Sequence, residues 1–436
     1  MPLVAAVCLI AANMRATITG VGPLLDQIAA DLGTSTAALG ALASVPLLTW
    51  AIVSPLTHGL STRFGMSRVV LWAMIALGAG TAWRSWPGVS VDLWLGTVLI
   101  GAALAVANVL MPAVIKRDFG RHVPLMMGLY TALLGGVGAI ASGVVVPISQ
   151  AAGGGADGWR IALAATSALL PIAIALWIWV LARGRNRASA SGPSRSIGAM
   201  PATADAVTAA ASGTSPAAGT GAASPGGAAS APVCTRAGLP PRRRGTGIWG
   251  DPVAWLVAAY MGMQSSSFYM LVTWLAPYAT AHGRSAVVAG VDVMLFQILG
   301  VIGSFAVPLA LRGRARRWVP ALLPVAGLGA AGGLLLAPEA LTIWALVAGL
   351  GAGASLSMSL TLMAERARDH ATSSALSGMS QSLGYLFAAL GPISFGALHA
   401  IDGGWTWPIV LLIAVLAAQA AVGVAVGRDR FVLDPR

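Results

Sequence analysis

"SGTSPAAGTGAASPGGAASAP", residues 212–232, interrupts a chain that is otherwise largely apolar. This stretch and its flanks, residues 182–249, consist mainly of Ala, Gly, Ser and Pro and offer few large apolar side chains to bury. Such a composition predicts a disordered cytoplasmic linker, with a mean span of roughly 45 Å for its length. The sequence therefore predicts two domains, residues 1–181 and 250–436, whose relative position the linker does not fix.

Apolar segments fill the chain on both sides of the linker. The 436 residues are 57% hydrophobic with a mean hydropathy of +0.80, whereas soluble chains average about 45 to 50% apolar residues. Many segments are long enough to cross ~30 Å of hydrocarbon as a helix, so we predict an all-α membrane protein. Twelve spans fit, six in each domain: 3–25, 37–60, 69–86, 93–115, 125–147, 159–181, 250–279, 286–311, 318–337, 341–363, 373–399 and 406–427.

The basic residues predict the orientation of these spans. If the N-terminus is cytoplasmic, 22 of the 26 Lys and Arg residues fall in cytoplasmic segments, so both termini are predicted to be cytoplasmic. The net charge of +12 then reflects membrane orientation, not nucleic-acid binding. The first segment lacks a basic start and a cleavage site, so we expect it to be retained as a span. The four exceptions are Arg15, Arg84, Arg160 and Arg284.

A weak internal repeat relates the two domains. Repeated six-helix halves around a polar linker are typical of secondary transporters, whose substrate sites lie near the bilayer midplane. With an offset of 250 residues, the aligned pairs are Gly33 with Gly283, Ser35 with Ser285, Gly40 with Gly290, and Gly128 with Gly378.

Arg15 stands near the middle of the first span, in "AANMRATITG", residues 11–20. A cation at this depth costs ~2.5 to 3.5 kcal/mol on insertion scales, so it should face a cavity or a partner. The planar guanidinium fork suits a small anion. The alternative is an ion pair, or bonds to carbonyls, that locks helices together. We favour the anion site because Asp292 is the only acid clearly inside a span.

Asp292 lies about six residues into the eighth span, roughly 9 Å deep. It is the candidate for proton coupling, but it could also pair with Arg15 or sit in a wet outer mouth, which is the interpretation we favour.

Uncharged polar residues occur in several spans. In a membrane such a side chain usually bonds to a neighbouring helix, but as a set around Arg15 they predict a pocket lining. No HExxH, CxxC or GxSxG motif occurs, and Cys8 and Cys234 lie in unlike surroundings, so we expect no enzyme activity, metal or cofactor. The candidate substrate-binding residues are Asn13, Asn108, Tyr130, Gln264, Tyr269, Gln381 and Tyr385.

One loop, "HGLSTRFGMSR" at residues 58–68, resembles the gating motif of the major facilitator superfamily. Arg63, Gly65 and Arg68 are kept, while His58 and Thr62 depart from the pattern. Other segments resemble the cyanate/2-nitroimidazole transporter group of that superfamily: "NMRATITGVGPLL" (13–25), "NVLMPAVIKRDF" (108–119), "GLYTALLGGVGA" (128–139), "GMQSSSFYMLVTWLAP" (262–277) and "SGMSQSLGYLFAALGP" (377–392).

This resemblance implies two six-helix bundles, alternating access, and a central site for a small anion or a small polar heteroaromatic compound. We therefore expect a monomeric secondary transporter in the bacterial cytoplasmic (inner) membrane that moves a small, cyanate-like anion or polar solute, coupled to a proton or a counter-anion. The alternative is efflux of nitroimidazole-like or other toxic molecules by the same fold. A non-transporting membrane sensor or enzyme is a third, disfavoured class.

Overall fold

The computed structural model describes residues 2–190, 247–312, 316–368 and 370–434. The regular structure in these ranges is helical. The helices are α1 (Pro2–Thr19), α2 (Leu25–Leu32), α3 (Thr36–Phe64), α4 (Met66–Ser85), α5 (Ser90–Asp118), α6 (Val123–Ala151), α7 (Gly155–Ala165), α8 (Leu170–Ala190), α9 (Pro252–Ala281), α10 (Ala286–Ala310), α11 (Val319–Leu336), α12 (Leu341–Glu365), α13 (His370–Asp402) and α14 (Thr406–Val426).

The ends of the predicted linker are helical. Helix α8 continues past residue 181 to Ala190, and a single 3-10 turn, Ile248–Gly250, precedes α9. Residues 191–246 lie outside the described residues, so the disordered linker stays a prediction. Met1–Arg183 and Thr246–Arg436 form one compact unit, and the contacts below belong to it.

Eleven helical segments in the described ranges are long and apolar enough to cross a membrane. The first combines α1 and α2, and the sixth combines α7 and α8. Helix α9, with 30 residues, is not among the eleven, because polar residues such as Gln264 and Ser265 lower its hydropathy. The multi-pass helical membrane fold is thus confirmed, while the twelfth span stays a prediction.

The repeated positions have the same structural roles in both halves. The hydroxyl of Ser35 accepts a hydrogen bond from the amide of Ala38 at 3.2 Å and caps α3. The hydroxyl of Ser285 does the same for Val288 at 3.3 Å and caps α10. Each serine replaces a hydrogen bond that the first helical turn lacks. The paired glycines Gly33 and Gly283 precede these caps with φ of 60° and 81°.

The two halves meet tightly at one end of the bundle, called here the closed end. Helix α3 packs on α13 and α6 packs on α10. A Cβ on Gly22 would lie 2.6 Å from the Val272 carbonyl oxygen, and one on Gly290 would lie 2.9 Å from the Ser142 carbonyl oxygen. The Gln297 amide also donates to the Ser142 hydroxyl at 2.7 Å. Only glycine permits this close approach between the halves.

The same helices diverge at the other end, called here the open end. A Cβ on Gly59, Gly128 or Gly378 would meet no atom within 4 Å beyond the helix's own backbone and chain neighbours. Leu125, which precedes Gly128 on α6, is 70% exposed. At the open end these positions are therefore not packed against another helix, whereas Gly22 and Gly290 at the closed end are packed against the other half.

Candidate functional site

The Arg15 side chain bridges the two halves of the protein. Its Cζ atom lies 5.1 Å from the centroid of the Phe268 ring on α9, within the range of a cation–π interaction. A Cβ on Gly138 of α6 would come within 2.8 Å of Arg15 Cγ, so the glycine leaves room for the arginine stem. Arg15 is partly exposed, and its guanidinium has neither a hydrogen bond nor an ion pair to any described residue.

Among the four arginines that break the charge pattern, Arg15 differs from the rest. Each of the other three donates to a group in its own half of the protein. Arg160 and Arg284 have a carboxylate partner, whereas Arg84 has no ion pair to a described residue, and its buried Nε and Nη2 have no hydrogen-bond partner there. These bonds are Arg84 Nη1 to the Thr17 carbonyl oxygen at 3.0 Å, Arg160 Nη2 to Asp31 at 3.0 Å, and Arg284 Nη1 to Asp292 at 2.9 Å.

The three predicted tyrosines lie near Arg15. The hydroxyls of Tyr130 on α6, Tyr269 on α9 and Tyr385 on α13 lie within electrostatic range of its guanidinium. The Tyr130 hydroxyl contacts Met14 Sδ at 3.6 Å. The structure thus groups these side chains from three helices with the arginine of α1.

Two aromatic residues of this group were not predicted. Tyr269 packs edge-on against Phe268, with 5.2 Å between ring centroids, and Tyr385 packs edge-on against Trp50 at 5.1 Å. Phe268 and Trp50 were not predicted because the sequence analysis considered polar residues as candidates for the site. The position of Phe268 beside Tyr269 in "SSSFY" was the available signal.

The predicted amide residues make mainly local bonds. Gln264 is buried, and its Oε1 accepts from the Ser265 hydroxyl at 3.2 Å. Gln381 donates to the Ser377 hydroxyl at 2.8 Å on the same helix. Asn108 on α5 is partly exposed and has no hydrogen bond from its side chain to a described residue. A role for these amides in binding stays a prediction.

Asn13 lies on a different face of α1 from Arg15. Its amide donates to the Leu9 carbonyl oxygen at 2.7 Å, and its side chain lines an apolar groove of about 150 Å³ between α1, α6 and α7. Residues two apart on a helix point about 200° apart, so the two side chains cannot face one ligand. The structure therefore does not support the predicted place of Asn13 beside Arg15.

Asp292 belongs to a buried polar network at the closed end. It is 1% exposed, so the expectation of a wet outer mouth is wrong. Both of its carboxylate oxygens accept from Arg284 Nη1, at 3.2 and 2.9 Å, and Oδ1 also accepts from the Thr342 hydroxyl at 2.7 Å. Arg284 further donates to the Glu339 carbonyl oxygen at 3.1 Å. Its partner is Arg284, not Arg15, and the network joins α10 to the start of α12.

Replacing Asp292 by Asn is therefore expected to lower stability more than it alters coupling. Breaking a buried ion pair costs about 3 to 5 kcal/mol, and less here because Arg284 reaches solvent. We expect a lower melting temperature for Asp292→Asn and for Arg284→Gln. The double variant should melt at no lower temperature than either single variant, because it leaves no buried charge without its partner. A folded Asp292→Asn protein that transports normally without a pH gradient, while the wild type requires one, would instead assign the coupling role to this carboxylate.

The predicted gating loop forms the junction between α3 and α4. Gly65 has φ 86°, a conformation that favours glycine, and it ends one helix and begins the next. Arg63 lies over the Phe64 ring at 5.2 Å, and Arg68 is exposed. Sequence analysis did not single out Ser67, whose hydroxyl accepts from Arg117 at 3.0 Å. The junction is thus fastened to α5 within its own half, and its gating role stays a prediction.

Comparisons with a family model and with known proteins point to the same family. The family model described as Major Facilitator Superfamily matches residues 6–392. The chain is 34% identical to the uncharacterized transporter YycB of Bacillus subtilis (strain 168), over 99% of this chain and 95% of that one. It is 32% identical to the 2-nitroimidazole transporter of Escherichia coli (strain K12), over 98% and 96%. It is 25% identical to the cyanate transport protein CynX of the same organism, over 91% and 90%.

Solved structures give the same fold. A mutant of the nucleoside transporter NupG superposes with a TM-score of 0.70 and 11% identity, covering 97% of this chain and 99% of that one. A bacterial homolog of the human lysosomal transporter Spinster, in an inward-facing and occupied conformation, has a TM-score of 0.67 and 15% identity over 98% and 93%. At these identities the likeness concerns the fold alone.

Proposed function

The chain belongs to the Major Facilitator Superfamily, a family of transporters and not of enzymes, and on this premise we propose that it carries a small anion or electron-rich polar solute between its two halves. Arg15 holds the negative or electron-rich group of that solute. Phe268 contacts the Arg15 guanidinium, and Tyr130, Tyr269 and Tyr385 lie within electrostatic range of it.

The observation that carries this proposal is that the Arg15 guanidinium has neither a hydrogen bond nor an ion pair to any described residue. A cation near the middle of a membrane span is costly unless something compensates for its charge. The cation–π contact with Phe268 supplies about 0.5 to 2 kcal/mol and leaves the N–H donors free. Those donors form a planar fork that suits a carboxylate-like or similar small anion. A substrate anion would provide the missing partner.

Alternating access is the mechanism that fits the two ends of the bundle. The excess of basic residues in the loops predicts that the open end faces the cytoplasm. In the proposed cycle, this conformation exchanges solute with the cytoplasm. A second conformation would part the glycine contacts at the closed end and bring together Gly128 and Gly378 at the open end.

A nitroimidazole-like solute is the second candidate, and the aromatic lining favours it. The Phe268 ring lies beneath Arg15, 5.6 Å from the Phe296 ring and edge-on to Tyr269, so these rings give an aromatic surface beside the guanidinium. A planar heteroaromatic ring could pack against this surface while Arg15 receives the nitro group. One relative carries the name of a 2-nitroimidazole transporter and another that of a cyanate transport protein.

The aromatic ring of Phe268 provides a way to separate the two substrate classes. With Phe268→Leu, which keeps an apolar side chain but removes the ring, we expect affinity for 2-nitroimidazole to fall about 3- to 10-fold, since an aromatic pair contributes about 0.5 to 1.5 kcal/mol. Affinity for cyanate should change less. Competition by each compound against a transported tracer would measure both values. Equal effects on the two compounds would argue against stacking on Phe268.

The function is tested by flux in vesicles that contain the purified protein. We expect saturable movement of cyanate or of 2-nitroimidazole above the rate in protein-free vesicles, and exchange of labelled for unlabelled solute on both sides. A broad panel of small anions and heteroaromatic compounds with no flux, for a protein shown to be folded, would contradict the proposal.

A further inference from the structure

A polar cavity of about 190 Å³ lies at the open end of the second half, near the carboxyl ends of α10, α12 and α14. It is separate from Arg15 and from every residue of the proposed substrate site. We call it the tail cavity, and we propose that it binds a phosphate group. Its charged lining consists of Arg316, Arg317, Glu365, Arg366 and Asp429.

Arg366 is the buried cation of this lining, whereas Arg316 and Arg317 are exposed. It is 5% exposed, and its Nε has no hydrogen-bond partner among the described residues. Its ion pair within the described residues, from Nη1 to Asp429, is long at 3.3 Å, and the Asp429 side chain is 84% exposed to solvent. A solvated carboxylate at this distance contributes little, whereas a buried cation without full compensation is costly. The described residues thus leave the Arg366 charge largely unneutralised.

The remaining charges and the size of the cavity suit a phosphate group. Arg316 pairs with Glu365 at 3.0 Å, but both side chains are partly exposed, and Arg317 has no acidic partner among the described residues. The lining therefore contains three arginines and two acidic residues. Planar arginine forks match the oxygens of phosphate. The volume is several times the ~30 Å³ share of one water molecule, so a phosphate group fits.

Two sources could supply this group: free inorganic phosphate or the headgroup of an anionic phospholipid. Basic pockets between membrane helices on the cytoplasmic side suit such headgroups. The apolar residues Pro320 and Met358 also border the cavity and would contact the glycerol of a lipid. The shared chemistry is a phosphate oxyanion, and the experiment separates the sources.

The Asp429 carboxylate would compete with a phosphate for Arg366, since it pairs with that residue. It belongs to the tail that follows α14, and other bonds hold that tail in place. The Val432 amide donates to the Arg366 carbonyl oxygen at 2.9 Å, and Asp434 pairs with Arg368 at 2.7 Å. A phosphate could therefore displace the Asp429 carboxylate without detaching the tail. Removing the Asp429 charge should strengthen binding.

The test measures thermal stability of the full-length protein in neutral detergent. Inorganic phosphate is titrated at constant ionic strength, and in a second arm phosphatidylglycerol is compared with phosphatidylcholine. A ligand of the folded state raises the melting temperature with its concentration. We expect Asp429→Asn to lower the apparent Kd severalfold, and Arg316→Gln and Arg366→Gln to raise it at least tenfold. If Arg366→Gln does not fold, the partly exposed Arg316→Gln still decides the matter.

A matched control variant shows whether binding depends on the residues that line the tail cavity or only on the positive charge of this end of the protein. Arg430→Gln makes the same charge change as the arginine variants at the same end of the protein, and Arg430 does not line the cavity, so its Kd should stay within twofold of the wild type. A response to inorganic phosphate supports a soluble ligand, and a response to phosphatidylglycerol alone supports a lipid. The proposal would be overturned if neither ligand raised the melting temperature of the wild type. It would also be overturned if Arg430→Gln changed the apparent Kd as much as Arg316→Gln does.

Discussion

Arg15→Gln is expected to weaken binding of the transported anion by about 10- to 150-fold. The guanidinium makes no hydrogen bond or ion pair to the described part of the protein, so its donors are available to the solute. Hydrogen bonds to charged groups contribute about 1.5 to 3 kcal/mol, which corresponds to this range of affinity. Flux in vesicles over a range of solute concentrations measures the effect. Arg15→Lys should be intermediate, because it keeps the charge and loses the planar fork.

Thermal stability supplies the control for this prediction. Arg15→Gln should not lower the melting temperature, since it removes a cation that has no counter-charge among the described residues. Arg160→Gln, the same substitution in the same half, removes the pair with Asp31 and the contact with Trp159, so it should lower stability and leave solute affinity unchanged. If Arg15→Gln destabilises the protein as much as Arg160→Gln and transports normally, Arg15 is structural and the site assignment fails.

Gly22→Ala is expected to open the closed end and slow transport at least fivefold. The new methyl would lie 2.6 Å from the Val272 carbonyl oxygen in the other half, and backbone atoms cannot yield as a flexible side chain does. Overpacking costs about 1 to 3 kcal/mol, which shifts a two-state equilibrium about 5- to 150-fold. Only the closed-end contact carries this cost, so the population moves toward the conformation in which that contact is parted.

Spin labels at positions 26 and 280 measure the shift directly. In the wild type the Thr280 hydroxyl donates to Asp26 at 2.9 Å across the two halves, so labels there report the closed end. Pulsed electron resonance, with Cys8 and Cys234 replaced, should give a larger long-distance population in Gly22→Ala. Gly128→Ala is the matched control: its methyl would meet no atom within 4 Å in the present conformation, so it should not open the closed end. Equal distance distributions in the two variants would refute the closed-end role of Gly22.

The misplaced residues show where sequence reasoning stops. Asn13 and Arg15 lie two positions apart in one apolar segment, and nothing in that segment says which helix face meets the other half. Asp292 was a candidate partner of Arg15 because both are charged residues within spans. Its partner is instead Arg284, which lies eight residues earlier, just before the helix that contains Asp292. Phe268 is one apolar residue among many until its ring is found beside the Arg15 guanidinium.

The sequence by itself determined the membrane class, eleven of the twelve spans, the repeated positions Ser35 and Ser285, which cap helices in the structure, and the unusual place of Arg15. These features follow from local composition, from segment length and from the hydrogen bonds of helix ends, all of which are encoded within a few residues. Only the tertiary structure decided which end of the bundle is closed and which arginines have partners. These depend on side-chain directions and on contacts between helices that lie as much as 250 residues apart, as Gly22 and Val272 do.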